Sequence, residues 1–178
     1  MKVLTFSRHF PKGHPKAGQP TYFVEQILNS ILPRPLSIGL NEFPPAARDY
    51  INDFMVIDGE HKKQHTIRGG SRWKPGDMAS LRVWSGKPYQ SKQVEFAQVE
   101  VKKVWSIEIV QNAEYWVFKL NGKTISWNDL DVDQFVEELA KNDGLTTADF
   151  LNWFSIHPKK KEQVFTGQII CWNHLIEY

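Results

Sequence analysis

The stretch KQHTIR at residues 63–68, followed by RWKPGD at residues 72–77, carries the strongest information in this chain of 178 residues. Its residues are typical of a strand that leads into a turn. The strand is unusually polar, because Lys63, Thr66 and Arg68 supply an amine, a hydroxyl and a guanidinium. Thr66 and Arg68 point to the same face of an extended chain, since successive side chains alternate. A purely structural strand would be more apolar, so we expect this stretch to have a function.

Lys63 and Thr66 can supply a base and a nucleophile, but their separation by three positions in the sequence creates a geometric difficulty. In a flat strand the two side chains point to opposite faces. They converge only where the backbone turns or bulges, and Gln64-His65 is the place for such an irregularity. A regular strand over residues 62–68 would instead favour a site that only binds.

Length and composition predict one domain over residues 1–178, with a hydrophobic core large enough to be stable without disulfide bonds or structural metals. Seven Trp residues form either a Trp-rich core or a stacking platform for bases. The single cysteine, Cys171, lies in an apolar run, excludes an intrachain disulfide and indicates a reducing, cytoplasmic environment. No apolar stretch is long enough to span a membrane, so we expect no membrane partner. A monomer is the expected state.

The net charge is only +2, but the charges are unevenly distributed. Residues 61–103 contain ten Lys or Arg and three acids, whereas residues 128–162 contain eight acids and four Lys. A basic segment around the polar stretch indicates a phosphate-bearing or polyanionic partner. The alternative is a solvated face that happens to be basic.

The pattern along the chain predicts an α+β fold. Thr21 is the expected N-cap of a helix that ends before Pro33, and a second helix is expected after Pro44-Pro45. Residues 99–109 alternate as one strand, and Asn121-Gly122 predicts a tight hairpin. Two late helices follow, the first ending at Gly144 and the second capped by Thr146 with Asp149, and residues 164–172 form a closing strand. We therefore expect a mostly antiparallel, partly open β-barrel with flanking helices.

The ordered motifs resemble those of the activating signal cointegrator homology (ASCH) domain. These motifs are HTIR at residues 65–68, RWK-x-GD at 72–77, WSGKPY-x-SKQ at 84–93 and LA-x-x-DGL at 139–145. The resemblance covers residues 55–172. It implies a PUA-like β-barrel with a cleft, in a class that handles RNA and modified nucleosides.

Some small members of this family resemble amidohydrolases that remove the acetyl group from N4-acetylcytidine. The resemblance implies a catalytic set of a Lys, a Thr three residues later and a Glu before a late helix. These roles fall on Lys63 and Thr66, while the acid falls on Asp143, which is one methylene shorter than Glu. No cofactor and no metal are implied. The expected substrate is a nucleoside or a short single-stranded RNA.

The chemistry of such a site follows from its residue types. A hydroxyl is a weak nucleophile until a neighbour accepts its proton, so Lys63 would activate Thr66. Arg68 would hold the substrate or the oxyanion, and Asp143 would protonate the leaving amine. Ligand contacts are also expected from a set of basic and aromatic residues around these three, namely Arg72, Trp73, Trp84 and Lys87.

Each residue also has a purely structural interpretation. Thr66 suits a strand because it is β-branched, Lys63 suits a solvated basic face, and Asp143 suits a helix end. Arg68 before two glycines suits a turn, and the Trp side chains suit a core. Three functions therefore stay open: hydrolysis of an N-acylated nucleoside, non-catalytic binding of RNA or a modified base, and RNA cleavage.

Overall fold

A computed structural model describes residues 1–31, 61–112, 114–125, 132–155 and 162–178. The helix predicted after Pro44-Pro45 lies outside the described residues, as does the end of the strand predicted at 126–127. The described residues form an α+β fold whose strands pair mostly antiparallel. They cluster into two compact units, Met1–Lys63 with Gly76–Glu100, and Gln64–Pro75 with Val101–Tyr178. The expectation of a single domain over 1–178 stays a prediction.

The first unit contains a three-stranded sheet and one helix. Its elements are β1 (Lys2–Thr5), α1 (Phe23–Ile31), β3 (Met78–Trp84) and β4 (Gln93–Glu100), and the strand order is β1-β3-β4. Strand β1 runs parallel to β3, whereas β3 and β4 are antiparallel with a bulge between Leu81 and Arg82. Apolar side chains of α1 such as Ile27 are completely buried. Burial of this face stabilises the helix, since a nine-residue helix is marginal in isolation.

The second unit contains a five-stranded antiparallel sheet and two helices. Its elements are β2 (His65–Gly69), β5 (Lys103–Asn112), β6 (Trp116–Leu120), β7 (Lys123–Thr124), α2 (Val132–Asn142), α3 (Thr147–Trp153) and β8 (Glu162–Cys171). The strand order is β2-β8-β5-β6-β7, and neither of the two sheets closes on itself within the described chain. The late strand β8 lies between β2 and β5, so β2 is an edge strand of this sheet.

Several local predictions are confirmed. The turn between β6 and β7 consists of Asn121 and Gly122, both with positive φ (49° and 80°), as a type I′ hairpin requires. The side chain of Thr146 caps α3 by accepting a hydrogen bond from the Asp149 amide at 3.1 Å. The strand of the polar stretch is not regular from residue 62, because β2 begins only at His65 and residues 61–64 form no strand.

Two predictions are wrong. Helix α1 begins at Phe23, directly after Tyr22, and the Thr21 hydroxyl donates to the Ser7 carbonyl at 2.7 Å instead of capping the helix. Residues 99–109 do not form one strand, because β4 ends at Glu100 and β5 begins at Lys103 in the other sheet. The apolar positions of this run are nevertheless buried on both sides of the break, which explains the continuous alternation in the sequence.

Among the described helices, none has the length and apolar character that a membrane crossing requires.

Candidate functional site

Strand β2 carries two of the predicted site residues in the second unit. Thr66 pairs with Ile170 of β8 and is buried, and Arg68 pairs with Gln168 and is half-buried. Strand β8 approaches β2 closely at Gly167, where an added Cβ would lie 2.3 Å from the Arg68 carbonyl oxygen. A side chain at this position is therefore incompatible with the backbone of β2. The glycine allows β8 to hold the strand that carries Thr66 and Arg68.

Asp143 lies at the C-terminus of α2, where the chain reverses. The Gly144 amide donates to Lys141 and the Leu145 amide donates to Ala140, which is a Schellman motif with Gly144 at φ 75°. This confirms the prediction that Gly144 ends the helix. Asp143 is the last residue before this glycine, and it is 7% exposed. The motif therefore fixes the backbone of a buried acid.

Gln64 connects the start of β2 to the end of α2. Its amide nitrogen donates to the Asn142 carbonyl at 2.8 Å, and its side-chain nitrogen donates to the Asn142 side-chain oxygen at 3.0 Å. The Asn173 side chain donates to the side-chain oxygen of Gln64. The chain segments that carry Thr66 and Asp143 are thus joined by hydrogen bonds one or two residues away from each.

Two basic side chains of β2 interact with the Asp143 carboxylate. His65 is completely buried, and its Nδ1 lies 3.7 Å from Oδ1 of Asp143. Burial lowers the pKa of Arg68 from its ordinary value, while the charge of Asp143 acts in the opposite direction. Arginine remains protonated at physiological pH despite such shifts. The Asp143 carboxylate therefore has the His65 imidazole as a close neighbour and feels the positive charge of Arg68.

The ring of the last residue, Tyr178, packs edge-on against the ring of His65 at a centroid distance of 5.7 Å. Its hydroxyl accepts a hydrogen bond from the Asn142 side chain at 3.0 Å. Burial raises the pKa of Tyr178 well above its ordinary value, so the hydroxyl keeps its proton. Burial likewise raises the pKa of the Cys171 thiol to about 11, which leaves it protonated and unreactive near neutral pH.

Lys63 belongs to the first unit and is 1% exposed, so the interpretation as a solvated surface residue is wrong. Its backbone amide donates to the Gln26 carbonyl of α1 at 3.1 Å. Its Nζ lies 4.3 Å from the ring centroid of Phe23 and 5.9 Å from that of Phe6. Ring faces attract a cation, and the attraction is strongest where water is excluded.

The remaining predicted ligand contacts divide between core and surface. Trp73 is buried in the second unit, where its backbone exchanges two hydrogen bonds with the side chain of Gln168. Arg72 is exposed and lies over the Trp73 ring at 5.4 Å. Trp84 is half-buried at the end of β3, and Lys87 is exposed in the loop that follows, both in the first unit. The ring of Trp73 is therefore packed as a core residue, whereas Lys87 is open to solvent.

The structure thus places Asp143 where it feels the charge of Arg68, on the unit that also contains Thr66. Thr66 follows His65 along β2, so its side chain points to the opposite face of the strand from the His65 ring that lies near Asp143. It also shows functional candidates that sequence reasoning missed. His65 has no chemical role in the sequence predictions, although its place inside the polar stretch was a signal that could have identified it. Glu25 of α1 is completely buried in the first unit, and nothing in the periodicity of the helix distinguishes it from a solvated acid. Within the described residues no three His, Cys, Asp or Glu side chains are grouped as metal ligands.

Comparisons with protein-family models, with curated proteins and with solved structures gave no significant match to this chain.

Proposed function

We propose that this chain is a nucleoside- or RNA-directed protein with a PUA-like, ASCH-type fold, and that its second unit hydrolyses the amide of an N-acylated nucleoside such as N4-acetylcytidine. Thr66 is the nucleophile and Asp143 transfers the proton. The observation that carries the proposal is the buried Asp143 carboxylate, which lies close to His65 and feels the charge of Arg68. The motifs that resemble those of ASCH domains are the reason for proposing an N-acylated nucleoside as the substrate.

The location of Asp143 is costly for stability, which supports a functional role. A helix C-terminus is the negative end of the helix dipole and disfavours an acid there by about 0.3–1 kcal/mol. Burial of the carboxylate adds a desolvation cost. Local choices that oppose stability are expected mainly at functional sites. Arg68 and His65 offset part of this cost and keep the carboxylate in one place.

The reaction needs one proton carrier and one nucleophile. The Thr66 oxygen attacks the acyl carbon while its proton moves through a bridging water molecule to the Asp143 carboxylate. Asp143 then protonates the nitrogen as the carbon–nitrogen bond breaks, which releases the free nucleoside and leaves an acyl ester on Thr66. A water molecule attacks this ester, gives its proton to Asp143, and the released Thr66 oxygen takes that proton back. The products are the amine and the carboxylic acid, and the protein returns to its starting state.

Arg68 supplies the positive charge that this reaction requires at the carbonyl oxygen. Negative charge develops on that oxygen as the nucleophile adds, and a fixed cation stabilises it. Removal of one such donor typically lowers kcat about 10²–10³-fold. His65 does not react in this scheme, and its role is to position the Asp143 carboxylate.

The test is the release of cytidine from N4-acetylcytidine by wild type, Asp143→Asn and Thr66→Ala. Loss of a general acid–base group lowers the rate about 10²–10⁴-fold, so we expect at least a hundredfold loss in both variants. Thr66→Ser retains a hydroxyl and should keep more activity than Thr66→Ala. Matched controls are Glu137→Gln on the exposed side of α2 and Thr124→Ala on β7, which should leave turnover unchanged.

Turnover by wild type that survives in Asp143→Asn would refute the role of this carboxylate. If wild type binds N4-acetylcytidine in the second unit but does not hydrolyse it, the catalytic proposal is refuted. The site would then recognise a modified base without reacting with it. The proposal also includes the cytoplasm as the location and a monomer as the working state, both of which follow from the sequence predictions.

A further inference from the structure

The loop between β3 and β4, residues 85–92, is ordered by its own hydrogen bonds. The Ser91 hydroxyl accepts from the Gly86 amide and donates to the Lys87 carbonyl, both at 2.9 Å. Two backbone bonds, from Ser85 to Lys92 and from Gln90 to Lys87, close the loop. The loop requires a hydroxyl at position 91, because the Ser91 side chain acts as both donor and acceptor. The loop is therefore a rigid support for the side chains it carries.

Tyr89 occupies an unusual position in this loop. Its side chain is 90% exposed, and its backbone has a φ of 62°, which bulky residues rarely adopt. Glycine or asparagine would adopt this conformation at lower cost, and the exposed ring gains little from burial in return. An unfavourable backbone that holds a large aromatic ring in solvent is a reason to infer a binding role.

Trp84 supports the exposed ring from the end of β3. The two ring centroids lie 5.2 Å apart with an interplanar angle of 51°, and Trp84 is itself half-buried. Trp84 therefore contacts the Tyr89 ring while most of the surface of that ring stays open to solvent. Such an exposed ring can stack on any unpaired base, because every base has a π surface.

The only charged side chains in the segment 84–94, which carries Tyr89, are two lysines. Lys87 and Lys92 are both exposed, and residues 84–94 contain no acid. In the sequence the exposed Tyr89 ring lies between two lysines. A ring can stack on a base and a lysine can contact a phosphate, so this segment suits a ligand in which bases and phosphates alternate. A base-paired duplex does not fit, since its bases are already stacked and paired.

We propose that Tyr89, with Lys87 and Lys92, binds an unpaired nucleobase and its flanking phosphates in a single-stranded nucleic acid. Tyr89 stacks on the base, and the two lysines contact phosphates. This surface belongs to the first unit and its role does not depend on amide hydrolysis by the second. It would let the protein bind a nucleic acid strand whether or not that strand contains an acylated base.

The experiment measures the fluorescence anisotropy of a 5′-labelled oligouridine of twelve nucleotides at low salt. The oligouridine is titrated with the 178-residue wild type and with its variants Tyr89→Ala, Tyr89→Phe and Tyr115→Ala. Base–aromatic stacking changes affinity by roughly 5- to 150-fold per base, so Tyr89→Ala should weaken binding within that range. Tyr89→Phe keeps the ring and should bind within about twofold of wild type. Tyr115 is the matched control, an exposed tyrosine of the second unit.

Each lysine has its own signature in the same assay. A phosphate contact to a single strand contributes about 0.7 to the slope of log affinity against log salt, so Lys87→Ala and Lys92→Ala should each reduce the slope by about that amount. Oligothymidine and oligouridine are compared to separate DNA from RNA as the ligand. Equal binding by wild type and Tyr89→Ala, or absence of binding by wild type at low salt, would overturn the proposal. Tyr89→Gly tests folding, since it removes the ring while permitting the positive φ.

Discussion

Lys63 and Asp143 are both buried charged residues, but the two units surround them differently. The Lys63 amine in the first unit packs against the rings of Phe23 and Phe6. The Asp143 carboxylate in the second unit interacts with Arg68 and His65. Aromatic ring faces attract the Lys63 cation, whereas ionisable groups, Arg68 and His65, act on the Asp143 carboxylate. The comparison shows that a buried charge in this fold can have aromatic or ionisable neighbours, and that burial alone does not distinguish the two environments.

The largest expected effect concerns the strand contact that positions Arg68. Gly167→Ala places a methyl group against the Arg68 carbonyl, and backbone atoms cannot move aside as a flexible side chain can. Overpacking typically costs 1–3 kcal/mol, and we expect about 3 kcal/mol here because the clash is with backbone. Urea unfolding measures the loss, with Gly69→Ala on β2 as the control, since its added Cβ meets no atom closer than 3.9 Å. Equal stability of the two variants would contradict the close approach.

Arg68 and Asp143 should show direct energetic coupling. Arg68→Met and Asp143→Asn, combined in a double-mutant cycle, should give an interaction energy of about 1–2 kcal/mol, because each single substitution leaves a polar group without its opposite charge. Chemical denaturation at neutral pH measures the four proteins. Additive single effects would mean that Arg68 and Asp143 do not interact, and would remove the electrostatic basis of the proposed site.

Lys63→Met tests the other side of the comparison. Methionine keeps the length and packing of the side chain and removes the cation, so we expect a loss of about 1–2 kcal/mol of unfolding free energy from the lost attraction to the rings. Lys12→Met, an exposed lysine of the same unit, is the control. A folded Lys63→Met protein of unchanged stability that has lost turnover would contradict this structural role. It would restore to Lys63 the role of catalytic base that the sequence predicts.

At neutral pH the smallest effect is that of Cys171, because its contribution changes only above about pH 9. Its pKa of about 11 in the fold exceeds its ordinary value of 9.0, so the folded state keeps a proton that the unfolded chain loses. The resulting stability is present below about pH 9 and is lost as the pH rises towards 11, by at most about 1.4 kcal/mol per pH unit. Tyr178 acts in the same direction, so the difference between wild type and Cys171→Ser isolates the thiol. Parallel stability curves for the two proteins would show that the thiol does not titrate as inferred.

Local rules predicted much of the secondary structure. Positive φ at Asn121 and Gly122, the capping hydrogen bond of Thr146 and the helix end at Gly144 all depend on residues close in sequence. The rules failed at residues 99–109, where alternation continues across a break between two sheets. Strands β4 and β5 each bury one face, so apolar residues alternate along both of them. This alternation does not depend on the strands with which each one pairs.

For the candidate site, the sequence predicted roles for Thr66, Arg68 and Asp143 but not which residues surround them. The proximity of Asp143 to β2 depends on Gln64, which bonds to Asn142 across 78 positions of sequence. His65 and Glu25 were missed because burial of a polar side chain is a property of the folded environment. The exposure of Tyr89 was equally invisible, since a tyrosine in a loop between two strands is as compatible with packing as with solvent.

The sequence by itself determined the α+β class, the ends of the late helices, the hairpin turn and the polarity of the strand at residues 65–69. Each of these depends on backbone preferences and side-chain periods that act over a few residues. Only the tertiary structure decided that Asp143 acts on the charge of Arg68, that Lys63 is buried near two aromatic rings, and that Tyr89 faces solvent. Burial and electrostatic partnership arise from contacts between distant segments, and those contacts exist only once the chain has folded.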